Sequence, residues 1–289
     1  MKGTLVVCAT PIGNLDDVSP RLRSTLEAAD AVFAEDTRRT GTLLRRFGIQ
    51  AELRSFFIGN EQQRLGELRE RLRRGETVAL VSDAGMPVIA DPGVAAVRLA
   101  AEIGAAVTVV PGPSAVTSAL AVAGVGGDRF VFEGFLPRSP GERERRMSAM
   151  AGDDRATVVF SPPTRVAKDL SDLADHLGDD RPVVVARELT KLHEEVWRGT
   201  LRDAAGHWAS AVAPRGEFTL VIAPGDEPEP DMGVALAAVD ERVGKGEPLS
   251  SAVRDVAKQR GISRRILYEA ALEGRTARED PQADGKADG

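Results

Sequence analysis

Short apolar runs alternate with amphipathic stretches along the first half of the chain, and that alternation predicts an α/β fold. Residues 5–9, 31–34, 77–81 and 105–110 are almost continuously apolar, as strands covered on both faces of a parallel sheet must be. Helix signals fall between them. Ser19 precedes Pro20, a capping residue before a proline at the first helical position. Residues 64–74 are helix formers closed by Gly75, Asp91-Pro92 repeats the cap-and-proline start, Gly104 stops that helix, and Ser114 is set to cap the next. Past residue 127 the pattern changes. A short strand at 130–132 leads into a linker at 137–141. Strands at 157–160, 182–186 and 218–223, with helices near 164–177 and 200–208, then make a second α/β unit. The expected organisation is an α/β domain over 1–127, a second over 128–226, a small helical unit over 232–274, and a polar tail over 275–289 without structure of its own.

Residues 103–127 carry no charge, a length that would span a bilayer. Pro111, Gly112 and Pro113 interrupt this stretch, so a buried strand, a turn and a buried helix account for it better. With an apolar strand directly after Met1 and neither a basic segment nor a cleavage motif before it, a soluble cytoplasmic protein with no membrane association is expected. The chain has 289 residues, 42% of them hydrophobic, and a formal charge of −6. An acidic protein is a poor default binder of nucleic acid, so any RNA role needs local basic patches. Cys8 is the sole cysteine, which excludes an intrachain disulfide and a Cys-rich zinc site. His176, His193 and His207 have no metal-ligand spacing, and no metal is expected.

Ligands of a parallel sheet bind beyond the carboxyl ends of its strands. The residues there are Thr10-Pro11-Ile12-Gly13-Asn14, Glu35-Asp36-Thr37-Arg38, Ser82-Asp83-Ala84-Gly85-Met86-Pro87 and Pro111-Gly112-Pro113-Ser114-Ala115. Each Gly-Pro pair alone is an ordinary turn. Three such loops at one sheet edge predict a crevice. No phosphate-binding glycine motif follows any strand, and the 82–92 loop holds Asp83 and Asp91 but no Lys or Arg. That chemistry suits a ligand bearing positive charge or hydroxyl donors better than a pyrophosphate. Gly112-Pro113-Ser114-Ala115-Val116 approaches a nucleophile elbow but lacks its last glycine. Ser114 as a helix cap is the simpler reading.

These loops, with Asn60-Glu61, Asp91-Pro92-Gly93, Glu133-Gly134-Phe135-Leu136-Pro137, Ala186-Arg187-Glu188-Leu189-Thr190-Lys191 and Gly216-Glu217, resemble the tetrapyrrole-methylase superfamily. Within it they look like the branch acting on small-subunit ribosomal RNA, and the resemblance runs to about Gly274. It implies two α/β domains of the tetrapyrrole-methylase type with a ligand cleft between them, plus the small C-terminal helical unit. It implies a homodimer, S-adenosylmethionine as methyl donor, and 2′-O-methylation of a decoding-centre cytidine in 16S rRNA. By carry-over, Pro11, Asp83, Ala84, Gly85, Pro113, Ser114 and Ala115 line the donor site, with Arg187 and Glu217 approaching from the second domain. Three stretches depart from the family pattern: Phe57-Ile58-Gly59 where a histidine is usual, Met86 where threonine is usual, and Ser161-Pro162-Pro163-Thr164-Arg165 where a Tyr-Glu-Ser run with a later His-Arg is usual.

A ribose hydroxyl is a weak nucleophile, so a general base is expected. Loop position makes Glu35, Asp36 and Asp83 the candidates, and each equally reads as a carboxylate bonding loop amides. The RNA candidates are Arg38, Arg39, Asn60, Arg138, Arg145 and Arg264. Several belong to arginine-rich stretches. Residues 64–74 hold five Arg against two Glu, 138–146 four Arg against two Glu, and 254–265 five basic residues against Asp255. Each stretch also reads as a solvated helix face. Two other functions stay open. One is methylation of a small molecule of tetrapyrrole or diphthine type. The other is DNA-binding regulation, because 251–260, the Gly261-Ile262-Ser263 turn and 264–273 look like a helix-turn-helix.

Overall fold

The computed structural model describes residues 2–211, 214–225 and 232–279, with side chains through residue 273. Its contacts divide into two compact units, Met1–Pro224 and Gly225–Gly289.

The first unit holds two sheets. Strands β1 (Thr4–Cys8), β2 (Ala31–Ala34), β3 (Leu53–Ser55), β4 (Thr77–Val81) and β5 (Ala106–Val110) pair in the order β3-β2-β4-β1-β5, all parallel. Cys8 stands opposite Val81 on one side and Val110 on the other. The carboxyl ends of β4, β1 and β5 are therefore level, and their loops emerge side by side. Helices α1 (Pro20–Ala28), α2 (Thr37–Arg46), α3 (Glu61–Arg73), α4 (Val94–Glu102) and α5 (Ala115–Ala123) follow the strands. Side chains alternate across the sheet. Val6, Cys8, Val32, Ala34, Ala79 and Val81 pack under Leu22, Leu26, Leu43 and Leu44 on one face. Leu5, Ala31, Phe33, Val78 and Leu80 pack under Leu68, Leu72 and Leu99 on the other. This double covering is why β1, β2 and β4 read as unbroken apolar runs; β5, expected to be buried, lies at the sheet edge with Ala106 to Val109 exposed.

The Ser19 cap forms as its sequence implies, its hydroxyl accepting from the Leu22 amide at 3.0 Å. The start read at Asp91-Pro92 does not. Helix α4 begins at Val94, with Gly93 at φ 131° in the capping position. Ser114 occupies the capping position of α5, but its side chain makes no cap bond.

The second sheet holds β6 (Phe130–Phe135), β7 (Ala156–Ser161), β8 (Pro182–Arg187), β9 (Glu195–Thr200) and β10 (Phe218–Ile222) in the order β6-β7-β10-β8-β9. Only β6 and β7 run parallel. The other pairings are antiparallel. Helix α6 (Pro140–Ala151) begins inside the segment expected to be a linker, again on a Ser-Pro start. With α7 (Val166–Leu177) and α8 (Leu201–Ser210) it covers one face of the sheet through Met147, Leu170, Leu173, Leu201 and Trp208. The other face packs against α5. Val116, Ala119 and Ala123 meet Val158, Val184, Ala186 and Val221, with Ile12 and Leu189 in the same core. Helix α5 and the loop after β1 thus share a hydrophobic core with the second sheet. The uncharged run 103–127 is divided between β5 and α5, and among the described residues no helix is long and apolar enough to cross a membrane.

The second unit packs α9 (Met232–Gly244), α10 (Leu249–Arg260) and α11 (Arg264–Glu279) around Val239, Val253, Val256 and Leu267. Gly261, at φ 66°, closes α10 before the turn. Helix α11 continues beyond residue 274 into the segment expected to lack structure. Residues 226–231, from the end of the expected second domain to the helical unit, and 280–289 of the expected tail lie outside the described residues.

Candidate functional site

Two adjoining cavities open where the level loops of the first sheet face the second sheet. The loops after β1 and β4 are zipped together: Thr10 and Gly85 exchange backbone hydrogen bonds at 2.8 and 3.1 Å, and the Thr10 hydroxyl donates to the Ser82 carbonyl at 3.2 Å. Gly85 sits at φ 81°, a conformation that favours glycine. Beyond it Val88 and Ala90 hold φ of 77° and 62°. A β-branched residue in that region is strained by roughly 1–2 kcal/mol, and such strain gathers at functional sites.

The first cavity, of about 300 Å³, is lined by Ile12, Ala84 to Met86, Ile89 to Asp91, Ser114 to Val116, Phe135, the 160–163 segment and Gly216 to Thr219. Its charged lining residues are Asp91 and Glu217, with no Lys, Arg or His among them. Burial pushes the Asp91 carboxyl up to about 6, helped by the charges of Glu35 and Asp83 and opposed by a hydrogen bond from Ser82. The second cavity, of about 420 Å³, is lined by Thr10 to Gly13, Leu15, Arg39, Thr40, Thr42, Leu43, Ser82 to Ala84, Lys191 and Glu217. The two walls share Ile12, Ala84 and Glu217.

The second sheet contributes through two devices. The first is the β8–β9 loop, in which Glu188 and Thr190 take φ of 51° and 67°. It reaches across to the β1 loop, where the Asn14 amide donates to the Thr190 hydroxyl at 3.1 Å. Lys191 Nζ bridges Glu188 at 2.7 Å and Glu217 at 3.0 Å. The second is a buried ion network behind the first cavity. Ser161 Oγ, on that cavity's wall, donates to Asp169 at 2.6 Å. Asp169 also accepts from Arg143 at 2.7 Å and Arg165 at 3.3 Å, and Arg143 reaches Asp172 at 2.7 Å.

The residues named from sequence are distributed as follows. Ala84, Gly85, Ser114, Ala115 and Glu217 meet around the first cavity. Pro11 and Asp83 line the second. Pro113 lines neither, though its carbonyl lies 3.7 Å from where a Gly85 Cβ would stand. Arg187 is turned away: it donates to the Arg215 carbonyl at 2.9 Å, pairs with Glu195 at 3.2 Å and stacks over Trp208 and Phe218. Glu35 lines neither cavity, and its carboxyl is raised by burial first and by Asp83 next. Asp36 caps α2 and binds its own Arg38 at 2.8 Å, which holds its carboxyl well below the usual range. Asp83 accepts from the Asp36 amide at 2.9 Å and pairs with Arg39 at 3.3 Å.

Among the RNA candidates, Arg38, Arg39, Arg138, Arg145 and Arg264 are exposed. Asn60 braces its own loop, accepting from the Phe57 amide at 2.8 Å and donating to Ser55. Much of the arginine in the basic stretches is internally paired. Arg71 is held by Glu52, Glu67 and Glu76, Arg64 by Glu67, Arg143 by Asp169 and Asp172, and Arg146 by Glu133. Among the lining residues that sequence reasoning did not assign to the site are Asp91, Lys191 and the 160–163 segment. Asp91 was visible as the second acid of its loop, and Ser161-Pro162-Pro163 as a departure from the family pattern. Lys191 was visible only as the last residue of the Ala186 to Lys191 stretch of the family resemblance.

A model of the family described as Tetrapyrrole (Corrin/Porphyrin) Methylases matches residues 4–205. The chain belongs to the tetrapyrrole methylase family. Among family members it is 41% identical over 274 residues to Ribosomal RNA small subunit methyltransferase I of Synechocystis sp., covering 94% of this chain and 98% of that one. It is 42% identical over 277 residues to the protein of the same name in Mycobacterium tuberculosis, covering 95% and 96%. A Thermotoga maritima protein of that name is 45% identical over 220 residues, which exhaust 98% of its length but only 76% of this chain. That relative is long enough for the first unit and too short for both. Tetrapyrrole methylase folds of known structure superpose on this one. The uroporphyrin-III-C-methyltransferase of Thermus thermophilus does so at TM-score 0.56 and 18% identity, covering 77% of this chain and 94% of that one. Diphthine synthase does so at 0.57 and 18%, covering 76% and 89%.

Proposed function

We propose that the protein transfers a methyl group from S-adenosylmethionine to the ribose 2′-hydroxyl of a cytidine in the decoding centre of 16S rRNA. The observation that carries the donor part is the chemistry of the first cavity. A sulfonium donor presents positive charge, hydroxyl donors and apolar carbon, and no phosphate. The wall offers the Asp91 carboxylate, the backbone of Ala84, Gly85, Ser114 and Ala115, and the apolar surfaces of Ile12, Phe135 and Phe160, with no cation to attract a phosphate. The volume, about 300 Å³, falls at the lower end of small-ligand sites. A relative of this fold from Thermus thermophilus was solved with S-adenosyl homocysteine, which supports the same ligand class. When bound, the donor supplies an electrophilic methyl group on sulfur.

The chain's own residues then have three tasks. Asp91 sets its negative charge against the positive ligand. The 160–163 segment, braced from behind by Asp169, keeps water from one side. The zipped loops at Thr10 and Gly85 hold the wall in one geometry, since alignment is the main demand of an in-line displacement. The RNA part rests on the relatives' names and on the exposed Arg38, Arg39, Arg138, Arg145 and Arg264. Action as a homodimer is part of the proposal. It is supported by the outermost strand β5, whose Val107 and Val109 are 41% and 48% exposed.

The test is incubation with tritiated donor and, in parallel, small ribosomal subunits, naked rRNA, porphyrin precursors or DNA, followed by mapping of the methyl group. Label on a 2′-oxygen of a 16S rRNA cytidine is expected. Label only on the porphyrin arm would replace this reading with small-molecule methylation. DNA retention without methyl transfer to any acceptor would favour the helix-turn-helix reading.

A further inference from the structure

The first cavity accounts for a donor, and a transferase needs a second chamber for its acceptor. The second cavity adjoins the first, and its wall differs in chemistry. Pro11, Ile12, Leu15 and Leu43 give it an apolar floor, while Arg39 and Lys191 bring cations that the first cavity lacks, held against Asp83 and against Glu188 and Glu217 until a phosphate competes for them. A flat base over aliphatic carbon with a phosphate beside two cations matches that lining. Of the three residues common to both walls, Ile12 and Ala84 have inert side chains. Glu217 alone can accept a proton. We propose that the second cavity seats the acceptor nucleotide and that Glu217, on the wall between the chambers, takes the hydroxyl proton during methyl transfer. This inference rests on the methyl-transfer reading above and names the group that reading leaves open.

The step balances. The ribose oxygen forms a bond to the methyl carbon as the carbon–sulfur bond breaks, its electron pair stays on sulfur as a neutral thioether, and the hydroxyl proton passes to the Glu217 carboxylate. The Glu217 side chain is 64% exposed, so the proton has a path to water. The three carboxylates that loop position suggested are less suited. Asp36 is engaged by its helix and Arg38, Asp83 by the Asp36 amide and Arg39, and Glu35 faces neither chamber. Lys191 positions Glu217 from 3.0 Å while Glu188 holds the lysine from behind at 2.7 Å. The other charged groups around Glu217 are Arg187 and Arg215 along its own edge, Asp83 and Arg39 across the second cavity, and Asp91 across the first.

The test uses the full chain. Calorimetry with S-adenosylhomocysteine, fluorescence anisotropy with a short ribo-oligonucleotide, and methyl transfer to small subunits are measured for wild type, Glu217→Gln, Glu217→Ala and Lys191→Met. Glu217→Gln is expected to bind the homocysteine product within about threefold of wild type while kcat falls by about 10²–10⁴, the usual range for a lost general base. Added formate should restore part of the rate in Glu217→Ala, a signature that a purely structural role would not give. Lys191→Met should weaken binding of the oligonucleotide and leave S-adenosylhomocysteine binding intact. A Glu217→Gln enzyme with kcat within threefold of wild type overturns the inference. So does a loss traced wholly to product binding, which would make Glu217 a donor-holding group. Absence of methyl transfer by the wild type removes the underlying reading and this inference together.

Discussion

Asp169→Ala removes the centre of the ion network behind the first cavity, and its effect can be worked out bond by bond. Asp169 is 1% exposed and accepts from Ser161 at 2.6 Å, Arg143 at 2.7 Å and Arg165 at 3.3 Å. Removing one partner of a buried ion pair costs roughly 3–5 kcal/mol, because the other charge is left without compensation. Arg143 keeps Asp172 at 2.7 Å and Arg165 reaches solvent, so the lower end applies, about 3 kcal/mol. Ser161→Ala deletes only one charge-assisted bond and should cost about 1.5 kcal/mol. Urea unfolding followed by the fluorescence of Trp197 and Trp208, both in the half of the unit that contains the network, measures each loss. The comparison requires an unchanged slope against denaturant. Ser161 also lines the first cavity, so Asp169→Ala should bind S-adenosylhomocysteine several-fold more weakly at temperatures where it remains folded. An Asp169→Ala protein within 1 kcal/mol of wild type would refute the claim that this network braces the wall.

Three further outcomes are expected. The folded-state carboxyl of Asp91 sits at about 6, above its ordinary value, so the native protein holds that proton more tightly than the unfolded chain does. The stabilisation is present at low pH and is lost as pH rises towards and through 6. Asp91→Asn should therefore match wild type near pH 4 and exceed it at pH 7.5 by about 1 kcal/mol after screening by solvent. Thermal melts across that range check the sign, and a less stable variant at pH 7.5 contradicts it. At Gly13 a Cβ would collide with Lys191 Cγ and lie 2.8 Å from the Thr190 hydroxyl, so Gly13→Ala should destabilise by about 1–3 kcal/mol and loosen the Lys191–Glu217 pair. Chemical denaturation reads the first effect and oligonucleotide anisotropy the second; wild-type values in both would disprove the contact. Val109→Lys on the outermost strand should turn a dimer into a monomer in sedimentation at micromolar concentration, and a wild type already monomeric there would remove the dimer expectation.

The central strands were legible because both their faces are covered. Val6 and Cys8 serve one core and Leu5 the other, so every position had to be apolar. Strands β3 and β9 were not legible. Each is an edge strand of its sheet, with half-exposed residues, and its neighbour supplies the pairing that its own sequence does not announce. The antiparallel pairings of the second sheet were hidden for two reasons: β9, which closes the local β8–β9 hairpin, is itself unannounced, and the arrival of β10 between β7 and β8 is a long-range event. In the site, the loops at Thr10, Ser82 and Ser114 stood out through their Gly-Pro content. Asp91 was misread because an Asp-Pro pair looks the same locally whether it starts a helix or enters a cavity wall. Lys191 gains its role only when its loop folds back on residues 176 positions earlier, a contact such as Thr190 with Asn14.

The inward pairing of Arg64, Arg71, Arg143 and Arg146 bears on how this protein would search among the cell's polyanions. An arginine already neutralised by a carboxylate displaces few counterions from a nucleic acid, and counterion release is what makes non-specific binding tight and salt-sensitive. These four arginines therefore add little to the electrostatic footprint of a chain of net charge −6, and attraction to a polyanion falls to exposed residues such as Arg138 and Arg145. Encounters with random transcripts should be brief, and residence time has to come from the shape of a folded target rather than from its charge.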